Sequence, residues 1–105
     1  MFIGLTATTD GAFEYQGDIA YSPSAFRNYL PLATNVSAFE DTGATLSATS
    51  GAKKWRITLG PERLEGIALL KMSRMAMQLR LEGYTRAEAE AFMERFWQYY
   101  QRGGG

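Results

Sequence analysis

The stretch Lys53-Lys54-Trp55-Arg56 places three bases around one aromatic side chain. Lysine and arginine neutralise phosphates, and an aromatic ring can stack on a base, so this composition is typical of surfaces that hold single-stranded nucleic acid. More bases follow between residues 63 and 80. These four residues are therefore a candidate nucleic-acid-binding strand, although an ordinary exposed strand end explains the same pattern.

A second set of residues has the chemistry of a protein-binding surface. Aromatic and methionine side chains are common in the last third of the chain, and such side chains often anchor protein interfaces. The candidate partner-binding residues are Phe92, Met93, Phe96, Trp97, Tyr99, Tyr100, Met72 and Met75. For any single one of them, core packing is the better interpretation. Together they form apolar stripes wider than one buried helix face needs, which favours a partner protein or a second copy of the chain.

Catalytic chemistry has few candidates in this sequence. The chain has no cysteine and no histidine, which excludes a Ser-His-Asp triad, a cysteine nucleophile and the usual thiolate and imidazole zinc ligands. Paired carboxylates could bind a divalent ion or divide acid and base roles, but Glu14, Asp18 and Glu40-Asp41 are also ordinary surface acids. No phosphate-binding glycine loop occurs. We therefore expect a protein that is not an enzyme and that uses no metal or other cofactor.

Eleven bases and eleven acids give a net charge of zero, but they are unevenly distributed. Residues 1–50 contain one base and five acids, a net charge of −4, whereas residues 51–105 contain ten bases and six acids, a net charge of +4. The halves could attract each other within the fold or across a dimer, or the second half could present a basic face to an anionic partner. We favour mutual attraction, because nucleic-acid-binding domains usually show a clear basic excess.

The elements that position these residues can be predicted from local patterns, which favour β structure in the first half. Alternating apolar and polar residues, preceded by the Asp10-Gly11 pair, predict a β-hairpin over residues 2–21. Ser22 is suited to cap a short helix that begins at Pro23. Pro31 should end that helix after one or two turns, because it disfavours helical geometry in the residue before it.

The middle of the chain is less informative. Residues 34–50 contain seven serines or threonines and few large apolar side chains, so they predict either two short strands or a mobile loop. Residues 53–59 alternate again, with Trp55, Ile57 and Leu59 on one side, which predicts a strand.

The second half of the chain predicts two helices. Residues 61–82 contain many strong helix formers and no interior proline, and Gly83 is a suitable stop. Thr85-Arg86-Ala87-Glu88 matches a capping box, which predicts a second helix over about 86–101. The short connection makes the two helices an antiparallel hairpin. Residues 102–105 should form a flexible glycine-rich tail.

Residues 54–62, followed by Leu69-Leu70, resemble the last strand and helix start of the transcriptional-coactivator family of single-stranded-DNA-binding domains. The resemblance implies a curved antiparallel sheet and a helix that dimerises. It covers less than a fifth of the chain, and the early short helix and the second long helix depart from that family.

The sequence thus predicts one α+β domain over residues 1–101. Its architecture is a small antiparallel sheet with one short helix, followed by a long C-terminal helical hairpin packed on the sheet. The expected function is a non-enzymatic interaction module that binds a partner protein or a second copy of itself, as a homodimer, through this hairpin. Inhibitors, assembly factors and small phage-type accessory proteins are of this kind. The alternative is a single-stranded nucleic-acid binder. With no targeting or membrane-spanning pattern, we expect a cytoplasmic protein.

Overall fold

The computed structural model describes residues 4–67 and 69–104, which form seven β-strands and two α-helices. In chain order these are β1 (Thr6–Ala7), β2 (Phe13–Ile19), α1 (Pro23–Thr34), β3 (Glu40–Asp41), β4 (Thr45–Ser50), β5 (Lys53–Leu59), β6 (Arg63–Ile67), β7 (Leu70–Glu82) and α2 (Arg86–Gly104). The strands lie in the order β1-β2-β7-β5-β4-β3, and β6 pairs with β7 outside this order. All of these pairings are antiparallel.

Strand β7 is central in the sheet and is the longest strand. Its residues 75–81 pair with β2 on one side, and residues 77–82 pair with β5 on the other. Side chains alternate between the two faces of a strand, so every second residue of β7 faces the core. These core residues are Met75, Met77, Leu79 and Leu81, none more than 1% exposed.

The expected C-terminal helical hairpin is wrong, because residues 61–82 contain β6 and β7 and no helix. The architecture is a seven-stranded antiparallel sheet with two helices, not a small sheet followed by a long hairpin of helices. Methionine, leucine, arginine and glutamine favour helices, but tertiary context overrides such preferences of a few tenths of a kcal/mol per residue. Here, pairing on both sides of β7 and burial of every second side chain outweigh them.

Both helices pack against the apolar face of the sheet. Helix α1 contributes Phe26, Leu30 and Ala33 to the core, and α2 contributes Ala89, Met93, Phe96 and Tyr100. The rings of Phe26 and Tyr100 stack with centroids 4.7 Å apart. The Tyr100 hydroxyl donates a hydrogen bond of 2.6 Å to the Phe26 carbonyl oxygen. Neither of the described helices covers the opposite face of the sheet, which carries exposed polar residues.

The signals at both helix starts are confirmed. The Ser22 hydroxyl accepts a hydrogen bond of 3.2 Å from the Ala25 amide, and Pro23 is the first residue of α1. At α2, the Glu88 amide donates to the Thr85 hydroxyl at 3.2 Å, and the Thr85 amide donates to the Glu88 carboxylate at 2.9 Å. This reciprocal pair is the predicted capping box.

The predicted end of the first helix is wrong, because α1 continues through Pro31 to Thr34. Leu30 and Ala33, on either side of this proline, are completely buried, and their packing favours continuing the helix. The helix closes at Asn35, which has a left-handed φ of 59° and donates its amide to the Pro31 carbonyl oxygen.

The predicted strands have mixed outcomes. β1 and β2 form the described part of the hairpin expected over residues 2–21, and residues 1–3 lie outside the described part of the chain. The strand predicted at residues 53–59 is confirmed as β5. In the middle of the chain, the second of the two short strands that the sequence allowed forms as β4. Residues 34–39, where the first was expected, form no strand. Helix α2 extends to Gly104 and so includes most of the residues assigned to a tail.

Gly83, between β7 and α2, provides a test of this topology. Its φ is +79°, and a Cβ there would lie 2.0 Å from the Ala52 carbonyl oxygen. We expect Gly83→Ala to lower the free energy of unfolding by more than about 2 kcal/mol, because backbone strain and a clash add together. Gly43→Ala is the matched control, since Gly43 has a φ of +99° but no described atom near its Cβ position, and it should cost about 1 kcal/mol. Urea unfolding measures both values, and equal losses would contradict the close packing of Gly83.

Candidate functional site

The first part of β7 and all of β6 form a two-stranded arm that extends beyond the main sheet. β2 pairs with β7 only as far as Met75, and β5 only as far as Met77. Residues 70–74 of β7 therefore pair with β6 alone. Thirteen residues of strand span about 43 Å, close to the longest dimension of the molecule, 46 Å. We call residues 63–67 and 69–74 the arm.

The arm exposes large apolar side chains, in contrast to the well-buried core. Leu69 at its tip is 98% exposed, Leu70 78%, Leu64 66% and Met72 50%. The strand register places Leu70 and Met72 on one face of the arm and Leu64 on the other. An isolated two-stranded hairpin is at best marginally stable in water, so an apolar arm of this kind gains most from being covered.

A group of ion pairs fixes the base of the arm to the main sheet. Arg63 pairs with Asp18 of β2 at 2.8 Å and with Glu65 at 3.1 Å, and Arg74 pairs with Glu65 at 3.4 Å. Hydrogen bonding to Asp18 raises the pKa of the Arg63 guanidinium. Single exposed ion pairs contribute little to stability, but a connected group limits how the arm can swing.

A groove lies where the arm leaves the main sheet. Its volume is about 450 Å³, and Gly60, Pro61 and Glu62, which connect β5 to β6, form one wall. The apolar side chains of Pro23, Leu59 and Met75 line it, so this depression beside the arm can accept apolar groups.

The eight candidate partner-binding residues are not brought together on one surface. Met75, Met93, Phe96 and Tyr100 are at most 1% exposed and belong to the core, whereas Phe92, Trp97 and Tyr99 are partly buried and pack against it. Met72 is exposed, but it lies on the arm rather than beside α2.

Tyr100 shows how firmly these aromatic side chains belong to the core. Its carbonyl oxygen accepts a hydrogen bond from the Tyr21 hydroxyl, and its own hydroxyl bonds to α1. Burial raises the pKa of Tyr100. A residue held through both its backbone carbonyl and its side-chain hydroxyl is unavailable to a partner unless α2 detaches.

The exposed leucines of the arm were absent from the sequence-based candidates. The helical interpretation of residues 61–82 assigned Leu64, Leu70 and Met72 to stripes along one helix. The alternation from Met75 to Leu81 was the signal that could have revealed a strand. The leucines are exposed because β2 and β5 stop pairing with β7 before they reach the arm. The sequence near the leucines does not show where this pairing stops.

The candidate nucleic-acid-binding strand is β5, and its residues are also separated by the fold. Trp55 is 3% exposed in the core, so its ring cannot stack on a base. Lys53 pairs with Glu88 of α2 at 2.8 Å. Lys54 and Arg56 lie on the other side of β5 and form no ion pair within 4 Å among the described residues.

Ion pairs between the two halves compensate part of the uneven charge distribution. Arg80 binds Asp10 at 2.5 Å, Glu14 at 2.8 Å and Glu82 at 2.7 Å, which joins a base of the second half to two acids of the first. Hydrogen bonds from Thr8 and Arg80 lower the pKa of Asp10 to about 2. This pairing agrees with mutual attraction between the halves.

Within the described ranges, no group of three or more acidic, histidine or cysteine residues could hold a metal ion. Neither described helix combines the length and apolar character needed to cross a membrane. Comparisons of the chain with protein families, curated proteins and solved structures gave no match.

The buried position of Trp55 gives a prediction that separates structural from nucleic-acid-binding roles of β5. We expect Trp55→Ala to lower the free energy of unfolding by about 3 kcal/mol or more, because it removes a buried ring. Changing Lys54 and Arg56 together to Ala should alter it by less than about 0.5 kcal/mol, since surface substitutions usually have small effects. Fluorescence anisotropy with a labelled single-stranded oligonucleotide should show weak binding that moderate salt removes. Tight binding abolished by the double variant would contradict this structural role.

Proposed function

We propose that the protein is a homodimeric interaction module whose arms bind each other. The observation that carries the proposal is the set of four exposed apolar side chains on the arm, from Leu64 to Met72. They expose on the order of 500 Å² per copy, while a standard interface buries about 800 Å² per partner. The backbone edge of β6 and the groove would add to the surface that is buried between the two copies.

The free edge of β6 favours a second copy over an unrelated partner. Among the described residues, no strand pairs with the side of β6 that faces away from β7. Two such edges can join in antiparallel fashion about a two-fold axis. When the axis passes through Leu64, Arg63 of one copy lies opposite Glu65 of the other. Opposite charges across a strand pair are favourable, so this register is self-complementary.

A two-fold axis through Glu65 instead of Leu64 is less favourable. An axis through Glu65 would place the two Glu65 carboxylates opposite each other, and like charges in that position are destabilising. With the axis at Leu64, two leucine side chains meet at the centre of the interface instead. Charge and apolar contact therefore select the same arrangement.

The groove gives this arrangement a place for each arm tip. In the proposed register about Leu64, Gly66 of one copy would lie opposite Glu62 of the other. The tip at Leu69 then lies toward the groove lined by Leu59 and Met75 of the second copy. Each copy contributes one tip and one groove, so the interface closes as a dimer rather than growing into a chain.

The proposal assigns a binding role and no catalysis to the chain, whose sequence contains neither histidine nor cysteine. A cytoplasmic location is part of it, because a cysteine-free chain depends on no oxidising compartment for disulfides.

The oligomeric state tests the proposal directly. Light scattering coupled to gel filtration should show a dimer at tens of micromolar for the natural chain and a monomer for the Leu69→Asp, Leu70→Asp double variant, because buried charges oppose apolar docking. Leu32→Asp is the control, since Leu32 is 55% exposed on α1, away from the arm. It should leave the dimer intact. A monomeric natural chain, or equal effects of the two variants, would refute dimerisation through the arm.

The register is tested by a single cysteine in this cysteine-free chain. Opposed residues of antiparallel strands have Cα atoms about 4.5–5.5 Å apart, within the range that a disulfide spans. Leu64→Cys should therefore form a covalent dimer under mild oxidation, visible on a non-reducing gel. Met72→Cys, on the other strand of the arm, should crosslink far more slowly. Comparable rates would show that β6 edges do not meet at Leu64.

A further inference from the structure

A cavity of about 370 Å³ lies at the end of the sheet opposite the arm, between β4–β5 and the facing ends of the two helices. Trp55, Tyr84, Phe92 and Val36 give it an apolar lining. The rings of Tyr84 and Phe92 meet edge to face with centroids 5.8 Å apart. A cavity of about 150 Å³ accommodates benzene, so this one has room for a molecule of two fused rings.

The indole N–H of Trp55 is buried and lacks a hydrogen-bond partner among the described residues. It is the one buried side-chain nitrogen or oxygen in that part of the chain for which this holds. A buried donor without an acceptor costs about 1–3 kcal/mol. Trp55 also lines the cavity, so its unpaired donor belongs to a residue that a bound molecule would contact.

The charges around the cavity favour an anion. Glu88 is already paired with Lys53 at 2.8 Å and accepts the Thr85 amide, and these contacts lower its pKa. Arg95 donates its Nε to the Leu32 carbonyl oxygen at 2.8 Å, and its guanidinium carbon lies 5.5 Å from the centroid of the Tyr99 ring. No described carboxylate lies within 4 Å of Arg95. The cavity therefore retains one positive charge without an acidic partner.

We propose that this cavity is a binding site for a small aromatic carboxylate. Its rings would contact Trp55, Tyr84 and Phe92, where edge and face contacts between aromatic groups are favourable. Its carboxylate would accept hydrogen bonds from Arg95 and from the Trp55 indole, so that the buried donor gains an acceptor. This site is independent of the arm, because Trp55 pairs with Leu81 at the far end of β7.

Titration of the natural chain with 2-naphthoate, followed by the indole ¹H–¹⁵N signals, tests the proposal. The chain has two tryptophans, so a Trp97→Phe variant assigns the Trp55 signal. We expect that signal to move downfield and saturate, while the Trp97 signal stays in place. The neutral analogue 2-naphthamide should bind at least about tenfold more weakly, because the charge-assisted contact is lost.

Two charge-matched variants locate the carboxylate. Arg95→Gln should weaken 2-naphthoate binding by about tenfold or more, because it removes the charge-assisted hydrogen bonds. Arg86→Gln removes the same charge from the same helix outside the cavity, and should change the affinity by less than about twofold. An unmoved or unsaturated Trp55 signal, equal binding of acid and amide, or equal effects of the two variants would each overturn the proposal.

Discussion

The rest of the structure depends on backbone pairing with strand β7, which pairs with β2, β5 and β6. Because β7 is longer than these strands, each of them pairs with only part of it. It has 13 residues, whereas β2 and β5 have seven each, and both pair with its C-terminal part. There it is buried between two strands and beneath two helices. Its remaining residues have β6 as their only partner among the described strands. One end of β7 therefore lies in the core and the other end lies in the exposed arm, because β2 and β5 pair with only one end.

The two binding surfaces that we propose follow from this arrangement and have different chemistry. At the arm, exposed leucines and a free strand edge favour association through apolar contact and backbone pairing. At the far end, residues of both helices and of β4 and β5 line a cavity beside Trp55 and Arg95. Elsewhere, Arg80 is surrounded by three acids, whereas Lys54 and Arg56 form no ion pair among the described residues.

Features that depend on neighbouring residues could be predicted from the sequence. The Ser22 cap and the capping box at Thr85 and Glu88 need hydrogen bonds across only three residues, and both form. The alternation within β5 predicted its buried side correctly. Pro31 shows the limit of local rules, because burial of Leu30 and Ala33 carries α1 beyond it. Of the four exposed apolar residues of the arm, only Met72 was among the candidates from the sequence, because the exposure of the leucines depends on strands distant in sequence.

The sequence by itself determined the helix starts, the first hairpin and the apolar residues available for a core. Only the tertiary structure decided whether residues 61–82 would be helix or strand. Their composition favours a helix by a few tenths of a kcal/mol per residue, and their alternation fits a strand equally well. Pairing with β2 and β5 settled the choice, because it satisfies the backbone of β7 on both sides while burying Met75, Met77, Leu79 and Leu81 under two helices.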